Sequence, residues 1–211
     1  MTRSAFHRTG HSLVVIAAAA LLAACADEGA LGPDRQAETT RFTADPGAAY
    51  VAAAVAGIED GSVPQLTNAG VCENLNVEPG NKLAFRTYAS GVQIYRWNGT
   101  TWVFVAPDAL LFADAAGNGL VGTHYAGPTW EAMGGSKVVG AVVDRCKPDP
   151  AAIDWLLLAA VSSQGPGIFH RVTFIQRLNT AGGTAPSQPG THIGEEARVP
   201  YTTEYFFYQA Q

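Results

Sequence analysis

The chain has 211 residues, with 13 basic and 18 acidic side chains for a formal net charge of −5, and 47% of its residues are hydrophobic. Its few Lys and Arg residues are scattered singly, which argues against nucleic acid as a partner, because binding a phosphate backbone needs clustered basic side chains. No apolar run reaches the roughly 20 residues of a membrane-spanning helix.

Residues 1–24 divide into a basic stretch with Arg3 and Arg8, an apolar run from Leu13 to Leu22, and the small-residue junction Leu22-Ala23-Ala24 before Cys25. That is the plan of an export signal. Small residues ahead of a cysteine suit cleavage after the thiol receives a diacylglyceryl group, so Cys25 is expected to become a lipidated N-terminus held in the cell-envelope membrane. The alternative is an ordinary signal peptide with an incidental cysteine. Ala26, in place of aspartate, fits the outer membrane where an envelope has two. Loss of Arg3 and Arg8 leaves 11 basic against 18 acidic side chains, a net of −7.

Residues 25–45 are rich in Ala, Gly, Asp, Glu and Thr without periodicity, as expected of a solvated tether. Twenty such residues as coil reach on the order of 25 Å. In the extension 46–74, Asp45 as N-cap, Pro46 in the first turn and Gly57 as stop predict a short helix over 48–56.

From Lys82 onward, short alternating or apolar runs punctuated by Gly, Pro and Asn predict antiparallel strands. In GVQIYRW-NG-TTWVFV, a two-residue turn at Asn98-Gly99 sets Tyr95 opposite Trp102, Gln93 opposite Phe104 and Ile94 opposite Val103. One face then carries Tyr95, Trp97, Trp102 and Phe104, either as core or as a binding face. Further strands are expected at 138–143, 155–160, 169–178 and 198–208. The run Trp155 to Leu158 is read as strand rather than helix because it is short and has a hairpin partner. The fold class is all-β, an antiparallel sandwich or barrel of about eight strands.

Leu75-Asn76-Val77-Glu78-Pro79-Gly80, GVQIYRW, GTHYAGPTWE, IDWLLLAA, IQRLNTAGGTAP and VPYTTEYFFY, in that order, resemble blocks of the domain of unknown function 3455 family of bacteria and fungi. The resemblance covers residues 75–208 and implies no activity. Many members have a cysteine where Trp97 stands and another near Gly190-Thr191. Their joint absence here implies that the two normally pair, and that this chain must be held together in some other way. Cys72 and Cys146 are its own remaining thiols beyond Cys25. Two cysteines in an oxidising compartment make one disulfide the simplest arithmetic, with two separate buried thiols as the alternative.

Gly117-Asn118-Gly119-Leu120-Val121-Gly122 spells GxGxxG, but no helix pattern opens from its last glycine as dinucleotide binding requires. It reads as a turn. No motif calls for a cofactor, and no His/Cys spacing calls for a metal. The segment Gly122 to Glu131 gathers His124, Tyr125, Trp130 and Glu131, while Arg177 and Asn179 alternate onto one face of a later strand. Together these predict a site for a small polar ligand, a glycan or a protein partner. Two alternatives stand beside it: a hydrolase using His124 and Glu131 as an acid/base pair, and a structural envelope protein. Cys25→Ser is expected to abolish labelling by a fatty-acid probe and leave unprocessed precursor, and normal processing of that variant would refute the anchor.

Overall fold

The computed structural model describes residues 72–211. The expected signal, Cys25, the tether and the helix over 48–56 lie outside them. Eight antiparallel strands, β1 (Asn81–Trp97), β2 (Trp102–Phe112), β3 (Leu120–Tyr125), β4 (Thr129–Ala132), β5 (Lys137–Cys146), β6 (Trp155–Gln164), β7 (Val172–Gly182) and β8 (Glu196–Ala210), follow one another around a closed barrel. β1 pairs with both β2 and β8, so the ring has no free edge strand. Trp155 to Leu158 is strand, as its brevity suggests.

Three local details depart from expectation. The β1–β2 turn has four residues, because Asn98 Oδ1 accepts from the backbone N–H of both Thr100 (2.9 Å) and Thr101 (2.8 Å), an Asx turn. Trp97 therefore pairs with Trp102 and Tyr95 with Phe104, two positions from the expected register, and a bulge at Ile94/Tyr95 sets Ile94 opposite Ala106. Strand β1 also runs unbroken through Gly91, where any Cβ would collide with the Asp108 carbonyl oxygen of β2. Finally, the segment around Gly127-Pro128 is the three-residue turn of a tight β3–β4 hairpin, with Tyr125 opposite Thr129. The GxGxxG stretch is a turn that leads into β3.

Two large apolar cores result, with a small third cluster of Ala109, Ile153 and Tyr201. Phe85, Leu111, Trp130, Phe169, Ile175 and Phe207 fill much of the barrel interior. Outside the wall, Leu75 of a short 3-10 turn (Glu73–Leu75) packs with Leu157, Leu178, Phe206 and Tyr208. Gln176 joins this layer by donating to the Leu75 carbonyl (2.7 Å) and accepting from the Tyr208 hydroxyl (2.6 Å). These layers explain why β8 is apolar on both faces over Tyr205 to Tyr208.

A Cys72–Cys146 disulfide ties the start of the described chain to the end of β5. The position where family resemblance implies a second bridge is closed by contact: a Cβ on Gly190 would lie 2.6 Å from Trp97 Cγ, so the indole rests on the bare glycine backbone. Trp102 Nε1 donates to the Gln188 carbonyl at 2.9 Å, fastening the same loop. The native protein is expected to resist thiol alkylation until reduced. Replacing both cysteines with Ala should cost about 4 kcal/mol for a loop of this length, read as a lower denaturation midpoint; free reactivity of Cys72 or Cys146 in unreduced protein would contradict the bridge.

Candidate functional site

Hairpin β3–β4 is much shorter than its neighbours, and the wall is correspondingly low there. β2 pairs with β3 only from Ala109 to Phe112, so Trp102 to Asp108 is paired with β1 alone. β5 pairs with β4 only near Lys137 to Val139, so Ala141 to Cys146 is paired with β6 alone. Across this notch the chain exposes Phe104 and Val105 on one lip and Val142 on the other. Behind it lies a cavity of about 450 Å³ reaching down to His124, Trp130 and Tyr205, within the ~300–1,000 Å³ range usual for small-molecule sites. On the far side the mouth is roofed by two loops. The Tyr95 hydroxyl donates to the Gly183 carbonyl (2.7 Å) and the Ile153 N–H to the Gly182 carbonyl (3.0 Å).

At the floor, His124 stacks on Trp130 with ring centroids 4.4 Å apart, and Tyr205 meets both rings edge-on. His124 Nδ1 lies 2.8 Å from the Thr129 carbonyl oxygen. A carbonyl only accepts, so Nδ1 carries the proton and Nε2 is left as an acceptor. Burial is the main reason the imidazole pKa falls to about 3; the Thr129 carbonyl opposes the fall and the Arg177 charge adds to it. The ring is therefore neutral at ordinary pH.

Five buried side-chain atoms have no hydrogen-bond partner among the described residues: Thr87 Oγ1, Gln93 Nε2, Trp130 Nε1, Tyr201 Oη and Tyr205 Oη. All five belong to inward-facing positions on β1, β4 and β8. Gln93 and Tyr205 approach the Tyr201 hydroxyl, and Arg177 approaches that of Tyr205, closely enough for these polar contacts to act on the two tyrosine pKa values, although none reaches ordinary hydrogen-bond geometry. Burial, above all, raises the pKa of both tyrosines. Arg177 lies among them. Its Nε and Nη2 donate to the Asp154 carbonyl (3.0 and 2.7 Å), and its charge is felt at Tyr95, His124, Tyr201 and Tyr205.

Of the residues singled out from sequence, His124, Trp130 and Arg177 thus line one cavity. Tyr125, Glu131 and Asn179 do not. In the β3–β4 register His124 faces Trp130 and Thr123 faces Glu131, so Glu131 projects from the opposite side of the hairpin to His124. There it accepts from the Tyr125 hydroxyl (2.5 Å) and pairs with Lys137 (3.1 Å); the Tyr125 bond, then Lys137, holds its pKa low. The expected acid/base pair is split by strand parity. Asn179 leaves the Arg177 face because β7 is bulged between Leu178 and Ala181 and Asn179 adopts φ 52, a left-handed conformation that Asn tolerates. Its amide donates to Glu204 on the outer surface (3.0 Å).

Sequence reasoning passed over Gln93, Tyr201 and Tyr205 as site residues. Alternation along β8 does put Tyr201, Thr203, Tyr205 and Phe207 on one side, but the pattern alone does not reveal that the tyrosine hydroxyls go unpaired. Among the described residues no cluster of three His, Cys, Asp or Glu side chains is arranged for a metal.

His124 also sets an acid response. An unfolded chain protonates it near its ordinary value of 6.5, whereas the folded chain does so only near 3. The unfolded state therefore binds the extra proton first, and stability falls as pH drops from about 6.5 toward 3, by at most ~1.4 kcal/mol per pH unit. Melting curves between pH 7 and pH 4 should show a shallower decline for His124→Phe than for the wild-type chain. Equal slopes would contradict the buried neutral imidazole.

No curated protein and no solved structure matches the chain. The family described as "Protein of unknown function (DUF3455)" matches residues 78–209. That span takes in seven strands whole, all but the last residue of β8, and every residue of the cavity floor, and the chain belongs to this family.

Proposed function

We propose that the barrel is a non-catalytic binding domain for a small polar organic molecule, carried in the bacterial envelope on a chain anchored through a lipid on Cys25. The observation that carries this reading is that three of the five unpartnered polar atoms, on Gln93, Trp130 and Tyr205, belong to residues lining the cavity. Buried polar groups are nearly always hydrogen-bonded, and each orphan costs about 1–3 kcal/mol. A barrel built only for rigidity gains nothing by keeping them, whereas a ligand with matching groups would satisfy several at once. Above the packed floor of Trp130, His124 and Tyr205, the exposed Phe104 and Val105 at the cavity mouth suit a planar molecule or a sugar face. Binding is favoured over hydrolysis by the placement of Glu131 on the other side of the hairpin and by the neutral, backbone-tethered His124.

Site residues that are costly without ligand leave a measurable trade-off between stability and function. Tyr205→Phe and Gln93→Leu, which delete an orphan group and keep most of the volume, should stabilise the ligand-free protein by about 1–3 kcal/mol each. The same variants should lose the thermal shift that small polar aromatic molecules give the wild-type chain, a shift worth about 2.7 kcal/mol at a hundredfold excess over Kd. Destabilised ligand-free variants would mean that these groups are structural.

A further inference from the structure

The cavity has a charge that the rest of the domain does not share. Residues 72–211 carry nine Lys and Arg against eleven Asp and Glu, yet the cavity is lined by Arg145, Lys147 and Arg177 with Asp154 as the lone carboxylate. Asp154 is already shared: its side chain lies 3.8 Å from Arg145 and 3.5 Å from Lys147. Arg177 forms no ion pair with any described carboxylate, and its two bonds both end on the Asp154 backbone oxygen. Nη1 and the second hydrogen of Nη2 close no further hydrogen bond of ordinary geometry, although the guanidinium approaches the Tyr205 hydroxyl closely enough to oppose the rise that burial gives its pKa. They form the planar fork that matches a carboxylate with two parallel hydrogen bonds. A partly buried guanidinium without a counter-ion, in a cavity walled by aromatic rings, is a costly arrangement unless an anion completes it.

The orphan groups point to the same chemistry. Gln93 Nε2 and Trp130 Nε1 are donors only, and the Tyr205 hydroxyl can donate as well. Among the unpartnered groups on cavity-lining residues donors predominate, and His124 Nε2 is an acceptor fixed by its tautomer. Such a lining recognises an acceptor-rich, negatively charged group attached to a flat apolar body that can lie against Phe104 and Val105.

We propose that the cavity takes an aromatic or similarly planar carboxylate, with the carboxylate on Arg177 and the ring against Phe104 and Val105 of the same cavity wall. This rests on the reading of the barrel as a binding domain and names the class of its ligand. Because the charge of Arg177 is balanced only when the ligand is bound, the acid and its uncharged amide should differ sharply in affinity although their shapes are nearly the same.

The test uses the full exported chain and follows tryptophan fluorescence and calorimetric titration with indole-3-acetate, 2-naphthoate and 4-hydroxycinnamate, each against its primary amide. At least one acid is expected to bind tenfold or more tighter than its amide, and its binding should weaken as salt rises. Arg177→Gln should erase the preference, whereas Arg177→Lys should keep the preference at reduced affinity, having the charge without the fork. Equal binding of acid and amide by the wild-type chain would overturn the carboxylate assignment and leave the binding reading standing. Failure of all six compounds to bind would overturn the assignment, and the wider reading would then stand or fall on the stability gain of Tyr205→Phe. The wild-type comparison of acid with amide decides the question even if neither Arg177 variant folds.

Discussion

Pairing of β1 with β8 is the constraint on which the other features depend. It runs from Asn81 opposite Ala210 to Arg96 opposite Glu196 with one irregularity near Leu83/Phe85, and it joins residues at least 100 positions apart. Closing the ring removes the two edges that an open eight-stranded sheet would leave to aggregate. It also fixes which side chains are enclosed. Once β1 and β8 are in register, Gln93, Tyr95, Tyr201 and Tyr205 have to face the interior, and the polar character of the cavity follows from that registration.

Closure does not demand that every strand be equally long. The short β3–β4 hairpin spans only part of the wall, and neighbouring β2 and β5 extend well past it. Depth and opening therefore come from the same element: the hairpin supplies His124 and Trp130 to the floor and, by its shortness, leaves the route to them. At the roof, the loops carrying Asp154 and Gly183 are fastened to β7 and β1 by backbone carbonyls accepting from Arg177, Thr180 and Tyr95. The same guanidinium thus holds a loop and presents its remaining donors to the cavity.

Much of the fold was legible in the sequence because its strongest signals are local. Alternation along 198–208, the short apolar run at Trp155 and the Gly and Asn punctuation each specify a strand or turn without reference to distant residues. What was not legible depends on single-residue irregularities. The Asx turn at Asn98 lengthened the first hairpin, and the bulge at Ile94/Tyr95 changed partners without changing composition. The bulge after Leu178 sent Asn179 outward although it is two residues from Arg177. The parity that separates Glu131 from His124 was hidden because Gly127-Pro128 looked like a bent loop rather than the tip of a hairpin. Convergence of His124 with Arg177 was legible only as an argument about satisfying buried polar groups, and the unpaired tyrosines of β8 left no sequence signal.

The contact of Trp97 with Gly190 bears on how the domain reaches its fold. Four cysteines can join in three ways, two of them wrong, and each wrong pairing must be undone by slow exchange before the ring can close. With an indole seated on a glycine in place of the bridge that family resemblance implies, residues 72–211 contain only Cys72 and Cys146. A single intradomain pairing is then available to the barrel. Its oxidation has no isomers to sort, and the domain can mature without a catalyst that reshuffles disulfides.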